Sequence, residues 1–316
     1  MPVTCELGMN GLQTYINSST DFKSKFIKFA FMSNSLLSPT FCFTSTEDES
    51  SALQEKKLCV EYGHYHLSFI ISNRTGDTCY HVAFYQFKNR PEVRTLSTIL
   101  SGNEVYRQSF TDVVLVHNQK EMVLVPSFLY KQELEQTLLE TIHGDTDSMI
   151  IMNDDVHQWE LNNVYGCNRF ILDAMKNAFP HTRNTHFTTL ALRSIFRNIR
   201  DDKGFWMKIF FYPSSLQVYA LKGDQLLLAQ SFYYETKEDV IFHLLNLADK
   251  FNIDLTEAFV EISGLIDDES GTWKELNRYI LNIQLENPVQ QQALNVNDPL
   301  LPPHFLTPFF LIAKCV

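Results

Sequence analysis

Residues 58–71, LCVEYGHYHLSFII, can be laid over residues 207–220, MKIFFYPSSLQVYA, at a spacing of 149. Leu58 then faces Met207, Val60 faces Ile209, Tyr62 faces Phe211, Leu67 faces Leu216 and Phe69 faces Val218. Apolar residues recur at alternate positions in both stretches, the period of strands that lay one face on a core. A Gly-Asp turn follows each stretch, Gly76-Asp77 and Gly223-Asp224, slipped by two residues. Each turn leads into an aromatic-rich run, Ala83-Phe84-Tyr85 and Ser231-Phe232-Tyr233. Two three-strand meanders of one pattern predict an α/β protein with mixed sheets, built as two related lobes.

The segments that follow extend the repeat. In the first half, strands at 58–62, 65–72 and 78–86 precede a short helix at 91–100, with Pro91 in its first turn. A strand at 112–117 is expected to pair with 122–125 across Asn118-Gln119-Lys120-Glu121. Residues 128–142 read as a helix striped by Leu129, Leu134, Leu138 and Leu139. Short strands at 148–152 and 159–165 come next, then helices at 169–178, stopped by Pro180, and at 190–199. The second half repeats the opening order with strands at 206–212, 215–222 and 226–233, a helix at 238–251 and a strand at 258–263. Each lobe is thus β-β-β-α-β. The expected divisions are a flexible extension at 1–55, a first lobe at 56–203 and a second lobe at 204–316. The extension is rich in Ser, Thr and Asn and ends in the acidic run STEDESS. Met32 is an alternative start to Met1. Residues 286–304 read as a long loop, and the apolar run 305–313 should be buried as a closing strand or helix.

The 316 residues carry a formal net charge of −11, and 45% of them are hydrophobic. Such a chain can bury sizeable cores, but it offers no basic surface for nucleic acid or anionic lipid. Six scattered cysteines form no CxxC pair and no zinc spacing, which fits a reducing, cytoplasmic setting. No apolar stretch reaches the roughly 18 residues that suggest a membrane span.

Several segments from Leu58 onward resemble an uncharacterised bacterial family of unknown function with an actin-like ATPase (ribonuclease H-like) fold. They are Tyr65-His66-Leu67-Ser68-Phe69, Met122-Val123-Leu124-Val125-Pro126, Asn163-Val164-Tyr165, Phe179-Pro180 and Cys315. The shape is also similar to that of the actin-like platform proteins of pilus and secretion machines. The resemblance implies a nucleotide cleft between the lobes, each lobe offering a hairpin with an acid and glycines. Val60-Glu61-Tyr62-Gly63 resembles the first phosphate loop, V-D-x-G, with Glu61 for Asp, but bulky His64 and Tyr65 follow it. In the second hairpin Phe210 stands where the acid belongs, and Tyr212-Pro213 occupies the glycine positions. Proline removes a backbone donor. Gly264, after the strand Val260-Glu261-Ile262-Ser263, loosely resembles the adenosine loop.

Glu61, Gly63 and Gly264 therefore mark a relic nucleotide site, in a cleft filled by His64, Tyr65, Phe211 or Tyr212. The expectation is a non-catalytic interaction or scaffold protein with an unknown protein partner, no catalytic residue and no cofactor. The alternative is an enzyme that binds or slowly hydrolyses ATP with magnesium through Glu61 and Gly63. His64 with His66 is a metal pair without a third ligand, and His181 and His186 lack a companion acid nearby in sequence. Arg193, Arg197 and Arg200 form a helical stripe read as a solvated face. Asp154-Asp155 and Asp267-Asp268-Glu269 are read as solvent-facing acidic turns.

Overall fold

The computed structural model describes residues 37–44, 55–199, 204–286 and 302–316, the Cys315 side chain excepted. The first lobe runs β1 (Phe41–Thr44), β2 (Lys56–Gly63), β3 (His66–Asn73), β4 (Cys79–Gln86), α1 (Val93–Gly102), β5 (Asp112–Asn118), β6 (Met122–Pro126) and α2 (Glu135–His143). It continues with β7 (Met149–Val156), β8 (Leu161–Asn168), α3 (Arg169–Ala178), β9 (Arg183–His186) and α4 (Phe187–Arg197). Then come β10 (Phe205–Tyr212), β11 (Ser215–Lys222), β12 (Gln225–Tyr233), α5 (Lys237–Phe251), β13 (Phe259–Gly264), α6 (Gly271–Tyr279), β14 (Asn282–Leu285) and α7 (Thr307–Cys315).

The duplication is explicit in the sheets. The first is ordered β1-β4-β3-β2-β5-β9 and the second β12-β11-β10-β13-β14. In both, an antiparallel meander is extended by two parallel strands. Val60 pairs with Phe69, and Ile209, 149 residues on, pairs with Val218. The ladders share even their irregularity, a register shift after Ile71 in one lobe and after Ala220 in the other. A bulge at one position of two sheets is a feature of the design, not an accident of either.

Strand alternation builds three cores. On the outer face of the first sheet, Leu58, Val60 and Tyr62 pack with α1 and α3. On the outer face of the second, Met207, Ile209 and Phe211 pack with α5 and α6. The inner faces share a third core with α4 and α7, to which Cys59, Phe210 and Tyr212 contribute. The helices begin on local caps: Asn168 accepts from the Phe170 and Ile171 amides, Thr236 and Asp239 form a capping box, and Ser270 accepts from Trp273.

Several expectations are corrected. Residues 112–117 and 122–125 do not form a hairpin. β5 is a central strand between β2 and β9, whereas β6 joins a separate sheet of order β6-β8-β7. The almost wholly buried run Val113 to Val116 is the mark of a parallel strand covered on both faces. The helix expected at 128–142 is α2, beginning only at Glu135 after a 3-10 turn, with Phe128 and Leu129 exposed in a turn on the Pro126 carbonyl. Within the extension expected at 1–55, residues 41–44 form β1, which pairs with β4 and buries Phe41 against Phe84. Residues 1–36 and 45–54 of that extension lie outside the described residues, as do 287–301 of the long loop. Counted to 316, the second lobe includes α7, but α7 lies between the sheets, and Lys57 of β2 donates to the Ala313 carbonyl at 2.7 Å. The apolar 305–313 run is buried as helix. α6 and β14 had no counterpart in the sequence reading.

Candidate functional site between the lobes

Glu61 is wholly buried near the end of β2, on the strand face turned toward the second lobe. Its Oε2 accepts from Ser68 Oγ at 2.6 Å. Its Oε1 accepts from Asn118 Nδ2 at 2.7 Å and, across the lobes, from Tyr212 Oη at 2.6 Å. His66 Nε2 stands 3.4 Å from the same oxygen. A carboxylate has about four acceptor positions; here three groups crowd Oε1, and Ser68 takes one position of Oε2. Asn118 is held in turn by Gln217 of the second lobe, whose Nε2 donates to Asn118 Oδ1 at 2.8 Å, and Gln217 bonds Ser231. The His66 ring lies between Phe84 and Tyr212, with centroids 5.3 and 4.6 Å away.

The two hairpins of the repeat supply most of this network. Tyr212 occupies the position equivalent to Gly63, and Gln217 that equivalent to Ser68. One lobe has an acid followed two residues later by a glycine, against which the His66 ring packs. The other has Phe210 in place of the acid and, two residues later, a phenol that reaches across to the acid of the first.

Burial pushes the Glu61 carboxyl up, but the His66 imidazole and the hydrogen bonds from Ser68 and Tyr212 outweigh it, leaving Glu61 below the ordinary carboxylate range. Burial, followed by the Glu61 charge, pushes the Tyr212 phenol far up, so it stays protonated and donates. The chemistry on offer is an ionised carboxylate held by fixed donors, with no exposed acid or base.

Of the three expected site residues, Glu61 and Gly63 meet at the end of β2. Gly63 has no room for a side chain, because a Cβ there would stand 2.0 Å from His66 Cε1. Gly264 lies in the second lobe against the Phe211 backbone, with φ +88° and an added Cβ 2.3 Å from the Phe211 carbonyl oxygen. Only glycine suits that turn. Of the four side chains expected to fill the cleft, Tyr212 reaches Glu61. His64 packs edge-on against Tyr65 and tilted against Tyr233, with centroids 4.3 and 4.5 Å away. Phe211 instead faces α5 in the outer core, because strand alternation pairs Tyr212 with Phe210 on the inner face.

His64 and His66 are thus separate ring contacts, and among the described residues no group of three His, Cys, Asp or Glu converges as a metal site would require. His186 caps α4, accepting from Thr188 N and bonding the Gln119 carbonyl through Nε2. It does have an acid beside it. Asp154 belongs to β7 and is no solvent-facing turn: it accepts from Tyr165 Oη, Thr185 Oγ1 and the His186 amide. Asp267 is buried and accepts from the Glu269 amide, while Asp268 and Glu269 are exposed. Arg193 donates to the Asp155 carbonyl, while Arg200 is outside the described residues. The sequence reading missed Ser68, Asn118 and Gln217. Their one signal was polarity at inward positions of otherwise apolar strands.

No helix among the described residues is long and apolar enough to cross a membrane. None of the curated proteins matches this chain. Among solved structures, a Bacteroides thetaiotaomicron protein with actin-like ATPase fold and unknown function superposes with a TM-score of 0.69. It is 18% identical, over 76% of this chain and 94% of that one. A structure of the PilM-PilN type IV pilus biogenesis complex matches with a TM-score of 0.54 and 11% identity, over 81% of this chain and 96% of that one. The fold is therefore actin-like. The family model for DUF3822, a protein of unknown function, matches residues 45–283, and this chain belongs to that family.

Proposed function

We propose that this chain is a non-catalytic, actin-like interaction or scaffold protein of the bacterial cytoplasm, its nucleotide position taken by its own side chains. The observation that carries this reading is the hydrogen bond from Tyr212 to the buried Glu61. A phosphate cradle needs backbone N–H groups that can approach the ligand, and an acid to hold the metal. Pro213 has no N–H, Phe210 brings no charge, and Glu61 has its acceptors engaged by Ser68, Asn118 and Tyr212. ATP with magnesium does not fit these residues. Buried free thiols at Cys59, Cys79 and Cys167 agree with a reducing compartment. A protein partner is in keeping with a fold of this shape being found in a complex of PilM with PilN.

A thermal-shift titration with millimolar ATP and magnesium tests the reading. A ligand at a hundred times its dissociation constant stabilises a fold by about 2.7 kcal/mol. The expected result is an unchanged melting temperature. A rise that disappears in Glu61→Gln would make the protein a nucleotide binder through Glu61 and overturn the scaffold reading.

A further inference from the structure

Among the described residues the second sheet ends in β12, which pairs with β11 alone, and the small sheet ends in β6, which pairs with β8 alone. Both edges border the same groove, about 630 Å³ in volume, with residues 226–231 of β12 on one wall and Met122, Leu124 and Ile142 on the other. Two strand edges facing one apolar groove are unusual, since proteins commonly blunt an exposed edge with charge, proline or a covering element. β12 carries no charge or proline along Leu226-Leu227-Leu228-Ala229, and among the described residues nothing covers this half-buried edge. Ile142 on the opposite wall is 58% exposed.

We propose that this groove binds an extended, alternately apolar segment of a partner protein, which adds as a strand to β12 and directs an acidic side chain at Lys120. The proposal rests on the interaction-protein reading above and names the surface that would carry it. An edge strand supplies main-chain donors and acceptors for an added strand, and the pockets beside it select alternate side chains. The charge in the groove fixes the partner's sign. Among the described residues that line it, the ionisable ones are Lys120 and His143. His143 is tied by Nε2 to the Met122 carbonyl, which leaves the exposed Lys120 ammonium, beside the Tyr233 ring, to meet a carboxylate. The overall charge of −11 does not decide the matter, because salt screens exposed charges beyond about 8 Å. Leu227 sits at the register shift of β12, between the residues paired with Leu221 and Ala220, so its side chain is spare to the ladder.

The test uses the full chain and a fluorescein-labelled decapeptide of alternating Val and Thr with one central Glu, read by anisotropy. Saturable binding is expected, weakened about tenfold or more by Leu227→Glu, by Ile142→Glu, or by exchanging the peptide's Glu for Lys. A peptide N-methylated at alternate residues should not bind, since it lacks the donors for strand pairing. Circular dichroism melts of the two variants should match the parent, Ile142 being exposed. Failure of the parent peptide to bind overturns the proposal, as does equal binding of the N-methylated one. Concentration-dependent dimerisation abolished by Leu227→Glu would make a second copy of this chain the occupant, and overturns it too. Absence of peptide binding together with absence of an ATP shift would remove the groove proposal and leave the scaffold reading standing. An ATP shift lost in Glu61→Gln would remove the scaffold reading itself.

Discussion

Gly63 and His66 are packed so closely that a single added methyl on Gly63 would lie 2.0 Å from His66 Cε1 and 2.4 Å from Nδ1. The His66 ring cannot swing away, because Phe84 and Tyr212 enclose it. Gly63→Ala should therefore destabilise the protein by about 1–3 kcal/mol, the ordinary cost of overpacking. Urea denaturation measures it. In a double-mutant cycle, His66→Ala should recover much of the loss.

Tyr212→Phe removes one hydroxyl and leaves the ring stack intact. The loss should be about 1.5–3 kcal/mol, the range for hydrogen bonds to charged groups. Equilibrium unfolding reads it, and a change below about 0.5 kcal/mol would mean that the contact across the lobes contributes little to the fold.

Burial holds His117 down to about 4, and burial, with His117 nearby, holds His186 down to about 3. These are bases whose folded values lie below the unfolded value of about 6.5. The unfolded chain therefore takes up protons first as pH falls. Their effect on stability is nil above pH 6.5 and grows as pH drops toward 4, with His117 alone costing about 3 kcal/mol by then. Glu61, held below the ordinary range, loses stability in the same direction as it protonates. Urea midpoints across pH 7 to 4 should fall steeply, and His117→Asn should flatten part of that slope.

Phe41 is buried in β1 and stacks on Phe84 at 5.1 Å. Phe41→Ala should cost about 3 kcal/mol as a core truncation, measured as a drop in melting temperature. A silent variant would return this strand to the dispensable extension that the sequence alone led us to expect.

What could be read from the chain follows from how local each signal is. The meanders were legible because alternation and Gly-Asp turns lie within about 30 residues of each other. The 149-residue spacing then related the two lobes residue by residue, and the structure pairs Tyr62 with Leu67 and Phe211 with Leu216 at equivalent places. The partners of β5 and β6 were not legible, since strand choice depends on residues far away and a short polar connection imitates a hairpin. α6 was hidden by its polar sequence, GTWKELNRY, which buries Leu276 alone. At the site, Glu61 and Tyr212 could be named from motif positions. Ser68, Asn118 and Gln217 could not, because only the meeting of two lobes gives them a shared task. Phe211 was misplaced by one strand residue, which is enough to reverse its face.

The bond from Lys57 to the Ala313 carbonyl spans 256 residues of chain. β2 is synthesised long before α7, so the ammonium on its inner face has no acceptor in that helix until nearly the whole of the second lobe has been made. The inner core is completed by that same late helix through Phe309 and Ile312. The inner face of the first sheet is thus closed only by contacts distant in sequence, the kind of topology that folds slowly and leaves apolar surface open to aggregation in the meantime.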